Sequence, residues 1–134
     1  MKLTTVAIAT AVMVALASAS PAGSTTAPSA SVENIATVII GGVATDFEFD
    51  LYACPAGEPM AVVEWNAQQP NGNSVSSGTQ AFGDSTGENV QHLTLTAGGN
   101  FNAGERWVGS GIVACGATLI PVSGSGTTKS LNGV

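Results

Sequence analysis

The clearest candidate for chemistry in this sequence is a serine followed at short range by a histidine. Ser85 lies in the run 83–87 (GDSTG), which has the G-x-S-x-G pattern of a nucleophile elbow, and the only histidine, His92, follows it. An elbow requires a sharp strand-to-helix turn, with the triad acid between serine and histidine in the chain. Glu88 is the only acidic residue between Ser85 and His92, and no helix is predicted there. The pattern therefore favours a polar turn, with a small Ser/His hydrolase as a distant alternative.

The acidic residues form one cluster, with Asp46, Glu48 and Asp50 at alternate positions. On a strand, this spacing puts the three carboxylates on one face and spreads them over roughly 13 Å. Calcium requires oxygens within about 2.6 Å of one point, so it would need a loop acid such as Glu58 or Asp84 as well. The cluster predicts a solvated strand face that opposes edge pairing, or a ligand-binding face, with calcium as the less favoured alternative.

His92 alternates with leucines in a predicted strand, where it shares an exposed face with Thr94 and Thr96. A metal site there would need a second histidine or a converging carboxylate, which sequence alone does not reveal. One His and two Cys also fall short of a nitrogen-and-sulfur zinc site, and no phosphate loop or dinucleotide fingerprint occurs. The sequence therefore predicts no catalytic residue, no metal and no cofactor.

The few aromatic residues could serve either the core or a sugar-binding surface. Trp65 is in phase with Ala61 and Val63, which places it in the predicted core. Tyr52 shares the face of the acidic cluster, and Trp107 has no clear phase. Exposed aromatic rings of this kind stack on sugars. Tyr52 and Trp107 are therefore candidate ligand-binding residues, although core use is favoured for both tryptophans.

These side chains require strands to position them. From Ile35 onward, short alternating or β-branched runs recur between Gly, Pro and Asn clusters, and no window has helical periodicity. This pattern predicts an all-β fold, a two-sheet antiparallel sandwich of about seven strands. The predicted strands are 36–40, 45–54, 60–67, 74–82 (the weakest), 90–97, 106–115 and 117–122, and Pro121 suits the last to an edge.

The two cysteines, Cys54 and Cys115, allow one disulfide in an exported chain, with two buried free thiols as the alternative. The first cysteine ends the second predicted strand, Trp65 lies eleven residues on, and the second cysteine is in the sixth strand. Together with the alternating Leu-Thr-Leu strand at 93–95, this arrangement resembles an immunoglobulin-type sandwich over 32–122. It departs from that family at Val113, where a tyrosine corner would place Tyr.

Cys54 has the opposite phase to the apolar face of its own strand. If Phe47 and Phe49 point into the core, strict alternation turns Cys54 outward. Either a bulge between Leu51 and Cys54 reverses the parity, or the disulfide clamps the rim of the sheet.

The N-terminus has the pattern of a secretory signal peptide. Lys2 precedes an uncharged apolar run, and Ala17-Ser18-Ala19 supplies an A-x-A cleavage site. The predicted organisation is a signal peptide at 1–19, a flexible Ser/Thr/Pro leader at 20–31, the sandwich at 32–122 and a flexible tail at 123–134. A secreted chain of net charge −6 with three basic side chains is not expected to bind nucleic acid, nor to insert into a membrane after cleavage.

Sparse titratable groups favour recognition over catalysis. The first hypothesis is a non-enzymatic extracellular interaction protein, which binds a protein or cell-surface partner through loops 55–59 and 70–73 or through an exposed strand edge. The second hypothesis is a carbohydrate- or cell-wall-binding module that uses Tyr52 and Trp107. The expected partner is therefore a protein or a cell-surface glycan.

Overall fold

The protein folds as a closed barrel of strands, and the prediction of a two-sheet sandwich is wrong. The computed structural model describes residues 26–131. Their all-β content is as predicted, and they contain no helix long and apolar enough to cross a membrane. The strands are β1 Ser29–Val32, β2 Ile35–Ile39, β3 Ala44–Tyr52, β4 Pro59–Gln68, β5 Ser74–Ser77, β6 Gln80–Asp84, β7 Val90–Gly99, β8 Arg106–Cys115 and β9 Thr118–Ser130, with a short 3-10 turn at Ile40–Gly42.

Seven of these strands form a ring in the order β3-β2-β9-β8-β4-β5-β7, and β7 pairs back onto β3. The β2–β9 pairing is parallel and the others in the ring are antiparallel. Alternation along a strand tells which side chains point inward. It does not tell whether the inward faces belong to two facing sheets or to one sheet closed on itself. The pattern that resembles an immunoglobulin-type sandwich is therefore one that a closed barrel also satisfies.

The folded region extends beyond the predicted limits of 32–122 at both ends. β1 begins at Ser29, and β9 continues to Ser130 with pairings to β8 and β2. The predicted weak strand 74–82 is two strands, β5 and β6, separated at Gly78. Both β1 and β6 lie off the ring, where they pair with β3 and β4. The predicted signal peptide 1–19, the first half of the leader and residues 132–134 lie outside the described residues.

Aromatic side chains fill the interior of the barrel. The ring of Phe47 is centred 5.2 Å from that of Trp65, 5.1 Å from Trp107 and 6.3 Å from Phe101, each at an edge-on angle. These residues are at most 2 % exposed. Edge-to-face contacts of this kind suit the quadrupoles of aromatic rings. The inward positions of β3, β4 and β8 thus meet in one aromatic cluster.

Trp65 reaches the core through a bulge. The register of β4 against β8 shifts between Val62 and Glu64, so that Val62 and Trp65 are both fully buried. Ala61 and Val63, which the alternation placed in phase with Trp65, are only half-buried. The core position of Trp65 is confirmed, but the bulge breaks the alternation with Ala61 and Val63 from which that position was predicted.

Cys54 and Cys115 form the predicted disulfide, with their Cα atoms 5.8 Å apart. Ala53 has a φ of +61°, a left-handed conformation that ends β3 and turns Cys54 into the core. This is the reversal of parity between Leu51 and Cys54 that the bulge alternative requires. Linking two residues 61 positions apart restricts the unfolded chain, which contributes about 4 kcal/mol by the chain-entropy estimate.

Candidate binding surface on the barrel wall

The three clustered acids lie on the outer face of β3, and each contacts a polar side chain of β7. The antiparallel register places the partners directly opposite one another. We call this row of three contacts the acidic ladder. The contacts are Thr96 Oγ1 donating to Asp46 Oδ1 at 2.6 Å, Thr94 Oγ1 donating to Glu48 Oε2 at 2.5 Å, and His92 Nδ1 at 2.6 Å from Asp50 Oδ1.

A third carboxylate joins the last contact of the acidic ladder. Glu33 follows β1, and its N–H donates to the carbonyl of Glu48 at 2.8 Å, which continues the pairing of β1 with β3. One ligand atom from each of Glu33, Asp50 and His92 lies within 4.8 Å of the other two. The side chain of Asp50 is 14 % exposed and that of His92 is 67 % exposed. Sequence reasoning missed Glu33, because only the strand order β1-β3-β7 brings it there.

One edge of β7 has no strand partner over most of its length. At one end, Gly99 N–H donates to the carbonyl of Val43. At the other end, Ala53 N–H donates to the carbonyl of Asn89. The odd-numbered residues therefore bond to β3, and the even-numbered N–H and C=O groups face away from it. On that side β5 pairs only with the last two residues of β7 and β6 pairs only with β4, so no strand within 26–131 covers Val90–Thr96.

This edge is anchored on the core and open to solvent. Leu93 and Leu95 are at most 2 % exposed, whereas His92, Thr94 and Thr96 are exposed. Soluble proteins commonly protect such edges with lysine, proline or a bulge. The segment 90–97 (VQHLTLTA) has no lysine or proline, and its register with β3 is unbroken. The edge from Val90 to Thr96 therefore has none of these three protecting features.

Ser85 and His92 are not brought together by a hydrogen bond in the described part of the chain. Ser85 is 4 % exposed, and its Oγ donates to the carbonyl of Cys54 at 2.8 Å and accepts the N–H of Gly87 at 3.0 Å. His92 meets Asp50 instead. The hydroxyl of Ser85 therefore joins two loops.

The two candidate aromatic residues differ in their access to solvent. Trp107 is 1 % exposed, and its Nε1 donates to the carbonyl of Thr127 at 3.2 Å, so its ring faces are packed within the protein. Tyr52 is half-buried and borders an open cleft of about 580 Å³, together with Ser29 and Asn89. Tyr52 alone is placed where a sugar ring could reach it.

The predicted binding loops are turns fixed by backbone hydrogen bonds. In the first, Gly57 N–H donates to the carbonyl of Ser85. In the second, Gly72 N–H donates to the carbonyl of Gln69. The loop acids considered for calcium, Glu58 and Asp84, belong to no group of three metal-ligating side chains among residues 26–131.

The sequence matches no protein-family model and no curated protein. Among solved structures, the chain is similar to the solution structure of a protein described as late embryogenesis abundant (LEA), with 16 % sequence identity and a TM-score of 0.47. The similarity covers 78 % of this chain and 73 % of that one. A likeness this weak carries no information on what this chain does.

Proposed function

We propose that the chain is a secreted, non-enzymatic interaction protein that binds an extended, basic segment of a partner protein along the free edge of β7. The observation that carries this proposal is the row of unpaired backbone groups from Val90 to Thr96. A segment that adds to such an edge as a strand gains main-chain hydrogen bonds, and its alternate side chains lie over the neighbouring strands.

The acidic ladder supports a basic occupant. Strands in a sheet are about 4.8 Å apart, so a strand added to β7 lies about 10 Å from β3. The carboxylates of Asp46 and Glu48 already extend from β3 to the threonines of β7, so a lysine or arginine side chain on the added strand can reach them. The hydrogen-bond partners of these two acids are threonines, and neither pairs with Lys or Arg in the described residues. A second copy of the chain, with its own charge of −6, is repelled.

Export and the non-enzymatic character rest on the sequence. The predicted signal peptide supports secretion, and the disulfide is of the kind that persists in oxidising compartments. With nine acidic groups, three basic groups and one histidine, the chain has few combinations for acid–base or nucleophilic work.

The edge is tested by replacing one backbone donor with proline. Thr94 directs its N–H away from β3, so Thr94→Pro keeps the barrel hydrogen bonds and blocks the approach of a further strand. Thr94→Ala is the matched control, because it loses the same side-chain contact to Glu48 and keeps the N–H. The probe is a short peptide of alternating lysine and valine, measured by calorimetry and by amide shifts of β7. We expect Thr94→Pro to weaken binding by about tenfold or more relative to Thr94→Ala.

The charge requirement is tested on the same peptide. The double variant Asp46→Asn/Glu48→Gln keeps polar side chains at both positions and removes two charges, so it should weaken binding of the lysine peptide. Binding of a matched serine–valine peptide should not change. Equal binding of the lysine–valine peptide to the proline and alanine variants, or equal binding of that peptide and a matched glutamate–valine peptide to the native chain, would overturn the proposal.

A carbohydrate- or cell-wall-binding function is the second candidate, and Tyr52 is the observation in its favour. A half-buried tyrosine beside an open cleft can stack on a sugar ring while its hydroxyl stays hydrated. Soluble polysaccharides should then shift the ring signals of Tyr52, the only tyrosine in the chain, and Tyr52→Ala should abolish binding. Unchanged ring signals across a panel of polysaccharides would contradict this second candidate.

A further inference from the structure

Three side chains from separate segments converge at one point on the barrel wall. Asp50 lies on β3, between His92 on β7 and Glu33 after β1, and their ligand atoms lie within 4.8 Å of one another. We propose that Glu33, Asp50 and His92 form a binding site for a divalent transition-metal ion of the Zn²⁺ type. This site uses side chains that the proposed function does not, since strand addition relies on the backbone of the β7 edge and on the side chains of Asp46 and Glu48.

The imidazole gives the site its metal preference. Two neighbouring surface carboxylates are common in proteins and would by themselves indicate no ligand. Calcium and magnesium select oxygen ligands, whereas an imidazole with carboxylates suits zinc and its neighbours in the first transition row. The Nδ1 atom of His92 already faces the Oδ1 atom of Asp50. The carboxylate of Asp50 is thus the converging carboxylate that a metal ion at His92 would require.

The geometry needs little adjustment to hold an ion. Zinc binds nitrogen and carboxylate oxygen at about 2.0–2.2 Å in a tetrahedral arrangement, so neighbouring ligand atoms lie about 3.4 Å apart. Rotations of Glu33 and His92, which are exposed, can close the observed limit of 4.8 Å toward that value and open the 2.6 Å contact between His92 Nδ1 and Asp50 Oδ1. Asp50 is largely enclosed and stays fixed on its strand. Three protein ligands leave a further position for water.

Electrostatics favour a cation at this point. Glu33 and Asp50 bring two carboxylates together, and no Lys or Arg pairs with either of them in the described residues. Like charges at such separations repel, more strongly near a protein surface than in bulk water. A divalent ion between them offsets this repulsion while the imidazole completes the ligand set. Without a metal, His92 and Asp50 would form a simple polar pair, which is the alternative that the experiment must separate.

Zinc titration of the untagged, full-length protein tests the site. His92 is the only histidine, so its ring signals in NMR report on this position without ambiguity. We expect one Zn²⁺ per chain by calorimetry, with a shift of the His92 ring signals, and a visible absorption band with Co²⁺. Mutation of a residue that only orients a metal ligand typically lowers metal affinity by about 10–100-fold. Since His92 and Asp50 would themselves be ligands, His92→Ala and Asp50→Asn should each lower zinc affinity by at least about tenfold. Glu33→Gln should weaken binding in the same direction.

The exposed acid Glu88 supplies the matched control, since Glu88→Gln removes one charge outside the site and should leave zinc affinity unchanged. Thermal unfolding of each variant in the absence of metal checks that the fold is kept. The proposal is overturned if Zn²⁺ causes no shift of the His92 ring, if His92→Ala binds zinc as tightly as the native chain, or if Ca²⁺ binds the same residues equally well.

Discussion

The hydroxyl of Ser85 holds the chain after Cys54 against the segment that follows β6. Its Oγ donates to the carbonyl of Cys54 and accepts the N–H of Gly87. Because Ser85 and Cys54 are buried, removing the hydroxyl leaves the carbonyl of Cys54 without its donor away from water, and the part-buried N–H of Gly87 loses its acceptor. At this residue the structure offers a reason for serine that is independent of catalysis.

We therefore expect Ser85→Ala to lower the free energy of unfolding by about 1–3 kcal/mol in denaturant titrations. Ser123→Ala is the matched control, because Ser123 is exposed and its substitution should change stability by less than about 0.5 kcal/mol. A Ser85→Ala variant with native stability that had lost an esterase activity of the native protein would contradict this prediction and favour the Ser/His hydrolase.

The sequence predicts the placement of a residue where the relevant pattern is local. The alternation of Asp46, Glu48 and Asp50 is enough to place them on one strand face, and the structure places them so. The approach of Glu33 depends on which strands are neighbours in the barrel. That information is long-range, and no spacing in the sequence contains it.

At the scale of the elements, β8 passes close to Trp65 because two of its residues have no side chain. A Cβ atom on Gly109 would lie 2.5 Å from Cζ2 of Trp65, and a Cβ atom on Gly111 would lie 2.8 Å from Cε3 of the same ring. Glycine inside a strand commonly marks such a close approach. The two glycines thus make room for the indole that β4 turns inward after its bulge.

We expect Gly109→Ala to destabilise the protein by about 1–3 kcal/mol, because Trp65 or the β8 backbone must move to accept the methyl group. Gly78→Ala is the control, since a Cβ atom at Gly78 meets no atom within 4 Å. Denaturant midpoints measure the loss, and near-ultraviolet circular dichroism reports the tryptophan environment. Equal midpoints for the two variants would show that the indole is not packed against β8 as described.

The limits of strand prediction have a similar local cause. The alternating pattern located β3, β7 and β8 to within two residues of their observed ends. It failed at the bulge after Val62 and at the left-handed Ala53, where parity changes. Neither site has the glycine or asparagine that usually signals such a conformation. The burial of Cys54 could therefore be inferred only as one of two alternatives.

At the scale of the whole molecule, a polar segment closes the barrel. Residues 123–130 are rich in Ser, Gly and Thr, which is why the sequence indicated a loose tail. The structure pairs Thr127–Ser130 with β2 and buries Thr128, whose Oγ1 lies 2.7 Å from the carbonyl of Asn102 and accepts the N–H of Glu105. Closure depends on backbone pairing and one buried hydroxyl, which hydrophobic periodicity does not detect.

A shortened chain tests this role of the segment. A chain that ends at Val122 lacks residues 123–130 of β9, including every residue that pairs with β2, so the barrel wall opens. Trp107 also loses the carbonyl of Thr127 that accepts its Nε1–H. We expect loss of a single cooperative unfolding transition and binding of hydrophobic dye to the exposed interior. A chain that ends at Leu131 retains every β9 pairing and should unfold as the native protein does. Native-like cooperative unfolding of the chain ending at Val122 would mean that the remaining strands are stable as an open sheet, and that closure by β9 is not required for folding.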